Sequence, residues 1–386
     1  MIKRPAWVEV NLDNVVHNLN EVKRVVKEGT KICPVIKADA YKQGVMEIAK
    51  TYIDEGVDML AVAVLDEALE IRKELKDIPV LVLGYTPEEA YGLAIENDII
   101  LTIYTYEQGV KINEKCEELD RYAALHIKVE TGMNRLGFLP TEKSRDEILE
   151  LKKLQRLGIE GIYTHMARAD EFDKTIAKSQ QKRFNDFYDM LVDKGLEIPT
   201  RHISNSASII DLPDFNYEMV RPGIMLTGLY PSDEVDRSDV KLKQTITLRA
   251  KIALVKTIEM GEGISYGHTF VTHKEMKVGT LPLGYADGFS RLLSGKMEVS
   301  VNGVRCRILG RICMDQCVVD LTDVPDARIG DEVIIYDDNR ANGLNIDQVA
   351  ELLGTINYEI VTMLDRRLPR VYTRNGEEVG LRNYLV

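Results

Sequence analysis

Cysteine is scarce in this 386-residue chain: the five, at positions 33, 116, 306, 313 and 317, are scattered and odd in number. That argues against a disulfide framework and suits free thiols in a reducing cytoplasm. Long apolar runs are missing too. The longest uncharged one covers 59–65, and the N-terminus M-I-K-R-P-A-W-V-E-V has no apolar core, so neither a signal peptide nor a spanning helix is expected. Nor is there a basic excess: 62 acidic against 50 basic side chains leave a formal charge of −12 and a pI near 5.2. Nucleic acid and anionic membranes need clustered Lys and Arg, so small molecules are the expected partners. Low-complexity segments and long linkers are absent, and no G-x-G-x-x-G follows an early strand, which weighs against an open doubly wound sheet.

The length calls for two domains. After a strand-like W-V-E-V, residues 13–28 carry apolar side chains at helical spacing. Short apolar runs then recur near 32–36, 60–64, 79–83, 100–104, 125–129, 159–164, 201–204 and 218–220. Amphipathic segments at 66–76, 87–97, 106–119, 142–157 and 175–194 lie between most of them. Eight strands alternating with helices predict a closed (β/α)8 TIM-type barrel over 11–238, because each crossover must cover the sheet and return in the same direction. From 239 to 386 the texture changes to alternating runs at 245–258, 277–282, 297–301, 305–309, 313–321 and 332–336, separated by Gly-containing turns. This predicts a mainly antiparallel β domain, with the N-terminal strand 1–10 a candidate to join it. A helix over 345–353 is expected to start in a capping box of Asn345 and Gln348 and to stop at Gly354.

The chemistry-bearing residues fall at the expected C-terminal ends of the barrel strands, the rim where such barrels build active sites. Lys37 follows the first repeated strand in K-I-C-P-V-I-K-A-D-A-Y-K-Q-G, with Tyr41 four residues on. Burial there favours the neutral amine that forms Schiff bases, although a lysine snorkelling to solvent has the same local sequence. Arg135 lies past the fifth strand, His165 ends the sixth, Asn205 and Ser206 follow the seventh, and Arg221 ends the eighth. Each alone has an ordinary structural explanation, but all share one rim. The small residues of N-S-A-S and P-G-I-M-L-T-G let backbone N–H groups approach a phosphate, and phosphate opposite a reactive lysine suggests pyridoxal phosphate. A guanidinium facing the pyridine nitrogen would favour the unprotonated ring and a weaker electron sink. Cys313 and Cys317 share one strand face, but no paired Cys or His set accompanies them and no metal site is expected.

In ordered motifs along essentially its whole length, the sequence resembles the alanine racemase family: V-I-K-A-D-A-Y-K-Q-G (35–44), K-V-E-T-G-M-N-R-L-G (128–137), T-H-M-A-R-A-D (164–170), H-I-S-N-S-A-S (202–208), R-P-G-I-M-L-T-G (221–228), I-S-Y-G (264–267), L-P-L-G-Y-A-D-G (281–288), C-M-D-Q (313–316) and I-N-Y-E (356–359). The resemblance implies interconversion of L- and D-alanine by two bases on a pyridoxal 5'-phosphate aldimine, supplying D-alanine for peptidoglycan in the cytoplasm. It implies Lys37 as the cofactor-holding base and Tyr266 as the second base, polarised through His165 and Arg221. By the same carry-over Tyr41, Ser206, Gly223, Ile224 and Tyr358 surround the phosphate, Arg221 contacts the ring nitrogen, and His165 and Asn205 belong to the cofactor site. Arg135, Met314, Tyr285 and Asp315 meet substrate, and Lys128 is a carbamylation candidate. Met166, Arg168 and Asn134 depart from the family pattern beside His165 and Arg135. A homodimer with shared active sites is implied, the β domain of one subunit completing the barrel site of the other. A decarboxylase, or a serine or broad-specificity racemase, on the same barrel and a non-catalytic cofactor-binding barrel are the alternatives; Arg221 speaks against the decarboxylase, and the β domain with its tyrosine against the last.

Overall fold

The computed structural model describes residues 4–338 and 343–386; the first three positions of the expected strand 1–10 lie outside the described residues. The chain divides into two compact units. One comprises residues 16–40 and 45–242, the other residues up to 15, 41–44 and 243–386.

The first unit is a barrel of parallel strands. Strands β3 (Leu60–Val62), β4 (Val80–Val82), β5 (Ile99–Ile103), β6 (Ala123–Lys128), β7 (Leu157–Tyr163) and β8 (Thr200–His202) pair side by side in chain order, every ladder parallel. A separate parallel pair, β2 (Lys31–Ile32) with β9 (Met219–Val220), fills the remaining arc. It is tied to β3 by the Val35–Ala61 bridge, and toward β8 by the Arg221 N–H donating to Ser204 O at 3.0 Å. The strand expected over 32–36 is cut short at Ile32, since Pro34 has no N–H to give to a ladder. Helices such as Leu65–Glu74, Tyr106–Leu119 and Thr175–Val192 cover the strands. They form where apolar residues recur at helical spacing, and Thr105 opens the second as an N-cap that accepts the Gln108 N–H. Strands β3, β4 and β5 are buried along their whole lengths, as parallel strands covered on both faces must be.

The second unit is a ten-stranded sheet in which β1 (Ala6–Asn11) lies between an antiparallel neighbour, Ile246–Lys251, and a parallel one, Arg370–Arg374. All other pairings in that sheet are antiparallel. The run expected over 245–258 is two strands, Ile246–Lys251 and Leu254–Ile258, which pair with different partners. The hairpin Arg370–Arg374 and Glu377–Arg382 turns at Asn375–Gly376, both with positive φ (53° and 80°) as a type I′ turn requires. The helix Ile346–Leu353 carries the expected capping box, Gln348 N–H donating to Asn345 Oδ1 at 2.9 Å and Asn345 N–H to Gln348 Oε1 at 3.1 Å. Among the described residues no helix is long and apolar enough to cross a membrane.

Candidate active site

The segment that carries Lys37 has an unusual backbone. Ala38, Asp39, Ala40, Tyr41 and Lys42 all have positive φ, between 53° and 65°, so residues 38–42 form a left-handed helical turn without a glycine. Such a conformation costs roughly 1–2 kcal/mol per residue and persists only when its surroundings hold it. In the barrel unit the Ala38 N–H donates to Glu67 Oε1 at 2.6 Å, and Asp39 Oδ1 accepts the Val45 N–H at 2.8 Å. In the sheet unit Arg370 Nε donates to Lys42 O at 2.7 Å and Thr245 Oγ1 to Gln43 Oε1 at 2.6 Å. Gly44, with φ 97°, stays glycine because a Cβ there would lie 1.9 Å from Tyr372 Oη.

Lys37 is accessible at the rim, yet its amine is held below the usual lysine range, first by lost hydration and second by the charge of Arg135, with Glu67 opposing. Arg135 sits in loop 131–137, whose neck is closed by Phe138 N–H to Lys128 O (2.8 Å) and Glu130 N–H to Phe138 O (2.9 Å). The Glu130 carboxylate accepts N–H groups from inside the loop, those of Gly132 and Arg135. Burial would raise its pKa, but these donors and that of Asn134 outweigh it and hold the carboxyl low. His165 sits just beyond β7. The buried Gln180 donates to His165 O at 3.1 Å and accepts the Ala167 N–H at 2.8 Å, fixing the strand exit. Burial, then Arg221 and Arg135, press the His165 imidazole well below its ordinary pKa, so it is neutral.

Arg221 is buried, and burial lowers its pKa to about 10, which still leaves it charged at neutral pH. Its Nη1 donates to His202 Nδ1 (2.7 Å) and His202 O (2.5 Å), and Nη2 donates to Thr164 O (2.8 Å). A guanidinium has five N–H groups, so the Nε–H and one Nη2–H remain for a ligand. Among the described residues no hydrogen bond joins His165 to Arg221, and the link between them is the charge of Arg221 acting on the imidazole. Ser206 is buried, and its Oγ accepts the N–H groups of Gly223 (2.9 Å) and Met225 (3.3 Å), leaving the hydroxyl proton to donate elsewhere. Asn205 instead caps the next helix, its Oδ1 accepting the Ser208 N–H at 3.0 Å. Ile224 opens the 3-10 turn Ile224–Thr227 directly after Gly223. Lys128 is buried on β6, with Nζ donating to Val129 O at 2.9 Å. Burial and Arg221 bring its pKa down to about 7.

The sheet unit holds the other candidates. Tyr266, Met314 and Asp315 line a cavity of about 520 Å³ together with Ser265, His268 and Cys313. Tyr266 and Met314 are 72% and 52% exposed, and Tyr285 is 41% exposed. Tyr285 and Met314 are brought together by main-chain bonds, Tyr285 N–H to Cys313 O and Ala286 N–H to Met314 O, both 3.0 Å. Residues 313–316, expected as strand, therefore form a turn. Asp315 is tied to Arg367 Nη2 at 2.8 Å. Tyr41 is buried and Tyr358 half-buried on the helix Asn357–Thr362.

Ser265, next to Tyr266, has φ 63° and ψ −173°, a region that essentially only glycine occupies. Its Oγ holds the turn by donating to Arg311 O at 2.5 Å and meeting Cys313 Sγ at 3.2 Å. Ser265→Ala keeps the strain and loses these bonds, whereas Ser265→Gly removes the strain. Urea denaturation is expected to find the glycine variant more stable than the alanine variant by about 1–3 kcal/mol; equal stabilities would mean the turn is unstrained.

Family profiles for the alanine racemase N-terminal and C-terminal domains match residues 10–231 and 245–372. The chain belongs to the alanine racemase family. Alanine racemase 1 of Clostridium acetobutylicum is 43% identical over 382 residues, 99% of each chain. The solved alanine racemase of Clostridium difficile superposes with a TM-score of 0.97 at 43% identity, covering 100% of both chains. That of Bacillus anthracis, solved with bound L-Ala-P, gives 0.93 at 35% identity over 100% of this chain and 99% of the other. Family membership accounts for a two-unit chain of barrel followed by sheet. His126, His202 and Tyr163 are buried parts of the rim's foundation that sequence reasoning passed over. The signal available was a histidine within each of two apolar strand cores, H-I-K and R-H-I.

Proposed function

We propose that this chain is a pyridoxal 5'-phosphate-dependent racemase that interconverts L- and D-alanine by two bases, acts in the cytoplasm as a homodimer with shared active sites, and supplies D-alanine for peptidoglycan. The observation that carries the reading is the barrel rim itself: an accessible lysine of lowered pKa at the start of a strained turn, in the field of Arg135, on the same barrel as donors that suit a phosphorylated pyridine. The residues fit the cofactor. Ser206 has a buried hydroxyl proton to donate and Arg221 two uncommitted N–H groups, the needs of a phosphate and of an unprotonated ring nitrogen respectively. Gly223, Ile224, Tyr41 and Tyr358 complete the phosphate surroundings, and Asn205, whose Oδ1 caps the helix that follows it, belongs to the cofactor site next to Ser206. When bound, pyridoxal phosphate would supply the electron sink that makes a substrate Cα–H acidic.

Lys37 Nζ holds the cofactor and exchanges the proton on one face of Cα, that of the D enantiomer. Inversion needs a second acid/base on the opposite face, a role that suits a phenol and falls to the partner subunit's Tyr266. The exposed Tyr266 and Met314 lining a cavity, with Tyr285 exposed as well, favour a face that a second copy covers. Arg135 and the partner subunit's Met314 receive the substrate carboxylate, with the partner subunit's Asp315 and the partner subunit's Tyr285 shaping the entrance. His165 stays neutral and can pass polarisation from the surrounding cations toward the phenol. The assay is stereospecific detection of D-amino acid from an L-amino-acid panel. L-Alanine should be converted fastest, and preference for L-serine, one hydroxyl larger, would redirect the substrate assignment.

Lys128 is a candidate for modification rather than for a catalytic step. With a pKa near 7 a good part of the amine is neutral at physiological pH, and only the neutral amine adds CO2. The resulting carbamate anion would sit in the field of Arg221 and Arg135, which repels an ammonium and favours an anion. Carbon-13 NMR in labelled bicarbonate should show a lysine carbamate whose occupancy rises as pH passes about 7 and vanishes in acid. No such resonance in wild type, or one that persists in Lys128→Ala, would remove the assignment.

A further inference from the structure

Behind Arg221 lies a second buried histidine. His126 Nδ1 is 2.8 Å from His202 Nε2, and His202 Nδ1 is 2.7 Å from Arg221 Nη1. Both histidines are buried, and no protein carboxylate is among the groups that set their titration. The proton positions follow from the donor that starts the chain. Arg221 can only donate, so His202 Nδ1 must accept. A neutral His202 then carries its proton on Nε2 and donates it to His126 Nδ1, which leaves the His126 proton on its own Nε2. Burial and the charge of Arg221 hold both rings neutral, His126 down to about 3. Tyr163 forms the platform of the assembly: its ring stacks on His202 at 4.7 Å and 11°, with the Arg221 guanidinium 5.0 Å from the same ring.

The backbone is shaped around His126. The β6–β7 ladder pairs Leu125 with Ile159 but His126 with Gly161, so Glu160 is the extra residue of a β-bulge. The bulge sets a glycine against the imidazole, and a Cβ there would lie 2.5 Å from Cε1 and Nδ1 and 2.7 Å from Nε2. A leucine at 126 would fill apolar space without a bulge, a glycine or a partner. A residue kept only for packing has no use for all three.

We infer that His126 is a positioning residue of the cofactor site: by accepting the His202 Nε2 proton it fixes the His202 tautomer that keeps Arg221 Nη1 turned back and its two remaining N–H groups aimed at the ring nitrogen. The inference rests on the reading of Arg221 as the partner of that nitrogen. Without an acceptor at 126, His202 can move its proton to Nδ1, where it meets the Arg221 N–H head on and turns the guanidinium away.

The test uses the cofactor-loaded, nitrogen-15-labelled protein, with long-range proton–nitrogen correlations assigning the His202 tautomer and a labelled pyridine nitrogen reporting on the cofactor. Wild type should show His202 protonated at Nε2. His126→Leu, and Gly161→Ala, which displaces the ring without deleting it, should lose that tautomer, shift the pyridine resonance and lower kcat by roughly ten- to a hundredfold, the consequence of an unmet buried donor. His126→Asn, whose amide oxygen can stand in for Nδ1, should restore all three. Wild-type His202 protonated at Nδ1, or a tautomer indifferent to His126→Leu and Gly161→Ala, overturns the inference. A pyridine resonance unmoved by Arg221→Lys, while the His202 tautomer still follows residue 126, overturns the assignment of Arg221 to the ring nitrogen instead.

Discussion

Lys37→Ala is expected to abolish the absorbance band of the lysine-held cofactor and to lower racemisation by about 10⁴-fold or more, since it removes both a covalent anchor and a proton-transfer base. The loss should appear in kcat for both enantiomers. It should not appear in stability: Lys37 is accessible, and the anchors of the left-handed turn, Glu67 and Asp39 in the barrel unit and Arg370 in the sheet unit, do not involve its side chain. An alanine variant that kept the band would place the cofactor on another lysine. Lys128 is the one to examine, because its pKa near 7 also suits a reactive amine.

The second large effect is directional. Tyr266→Phe is expected to slow solvent exchange of the L-alanine α-proton by about 10²–10⁴-fold, the usual worth of a positioned acid/base, and that of D-alanine far less. The phenylalanine keeps the ring of a side chain that is 72% exposed, so an unchanged thermal midpoint should accompany the loss. Deuterium incorporation followed separately from each enantiomer measures it. Equal slowing of both would remove the assignment of Tyr266 to one face.

The barrel was readable from sequence because its signal is carried by composition. Runs such as 79–83 and 100–104 are apolar throughout, as strands buried on both faces must be, and the amphipathic segments between them supply the crossovers. The sheet was harder to read, since its register depends on bulges and turns. Strand 245–258 hid a break, and the hairpin at 370–382 went unread although Asn375–Gly376 is a strong turn signal. The left-handed turn at 38–42 could not be read at all. Of Ala38, Asp39, Ala40, Tyr41 and Lys42 only the aspartate has any local tendency toward it, and it exists because distant groups such as Glu67 and Arg370 hold its ends. The candidate lysine and arginines were legible as residue types out of place at strand ends. The machinery that aims them was not: Gln180 behind His165 and His202 behind Arg221 come from other elements, and Glu130, though only five residues from Arg135, carries no sequence sign of the loop N–H groups that it accepts.

The central claim is that the two bases of one site come from different subunits, and subunit mixing tests it most directly. Lys37→Ala and Tyr266→Phe chains, each inactive alone, are co-expressed with different tags and the mixed dimer is isolated. If sites are shared, each mixed dimer holds one site with both native bases. An unfractionated equal mixture should then recover roughly a quarter of wild-type activity, because about half of its dimers are mixed and half of their sites are whole. A mixed dimer no more active than its two parents would mean that Lys37 and Tyr266 do not serve one substrate from neighbouring subunits, and would contradict the account.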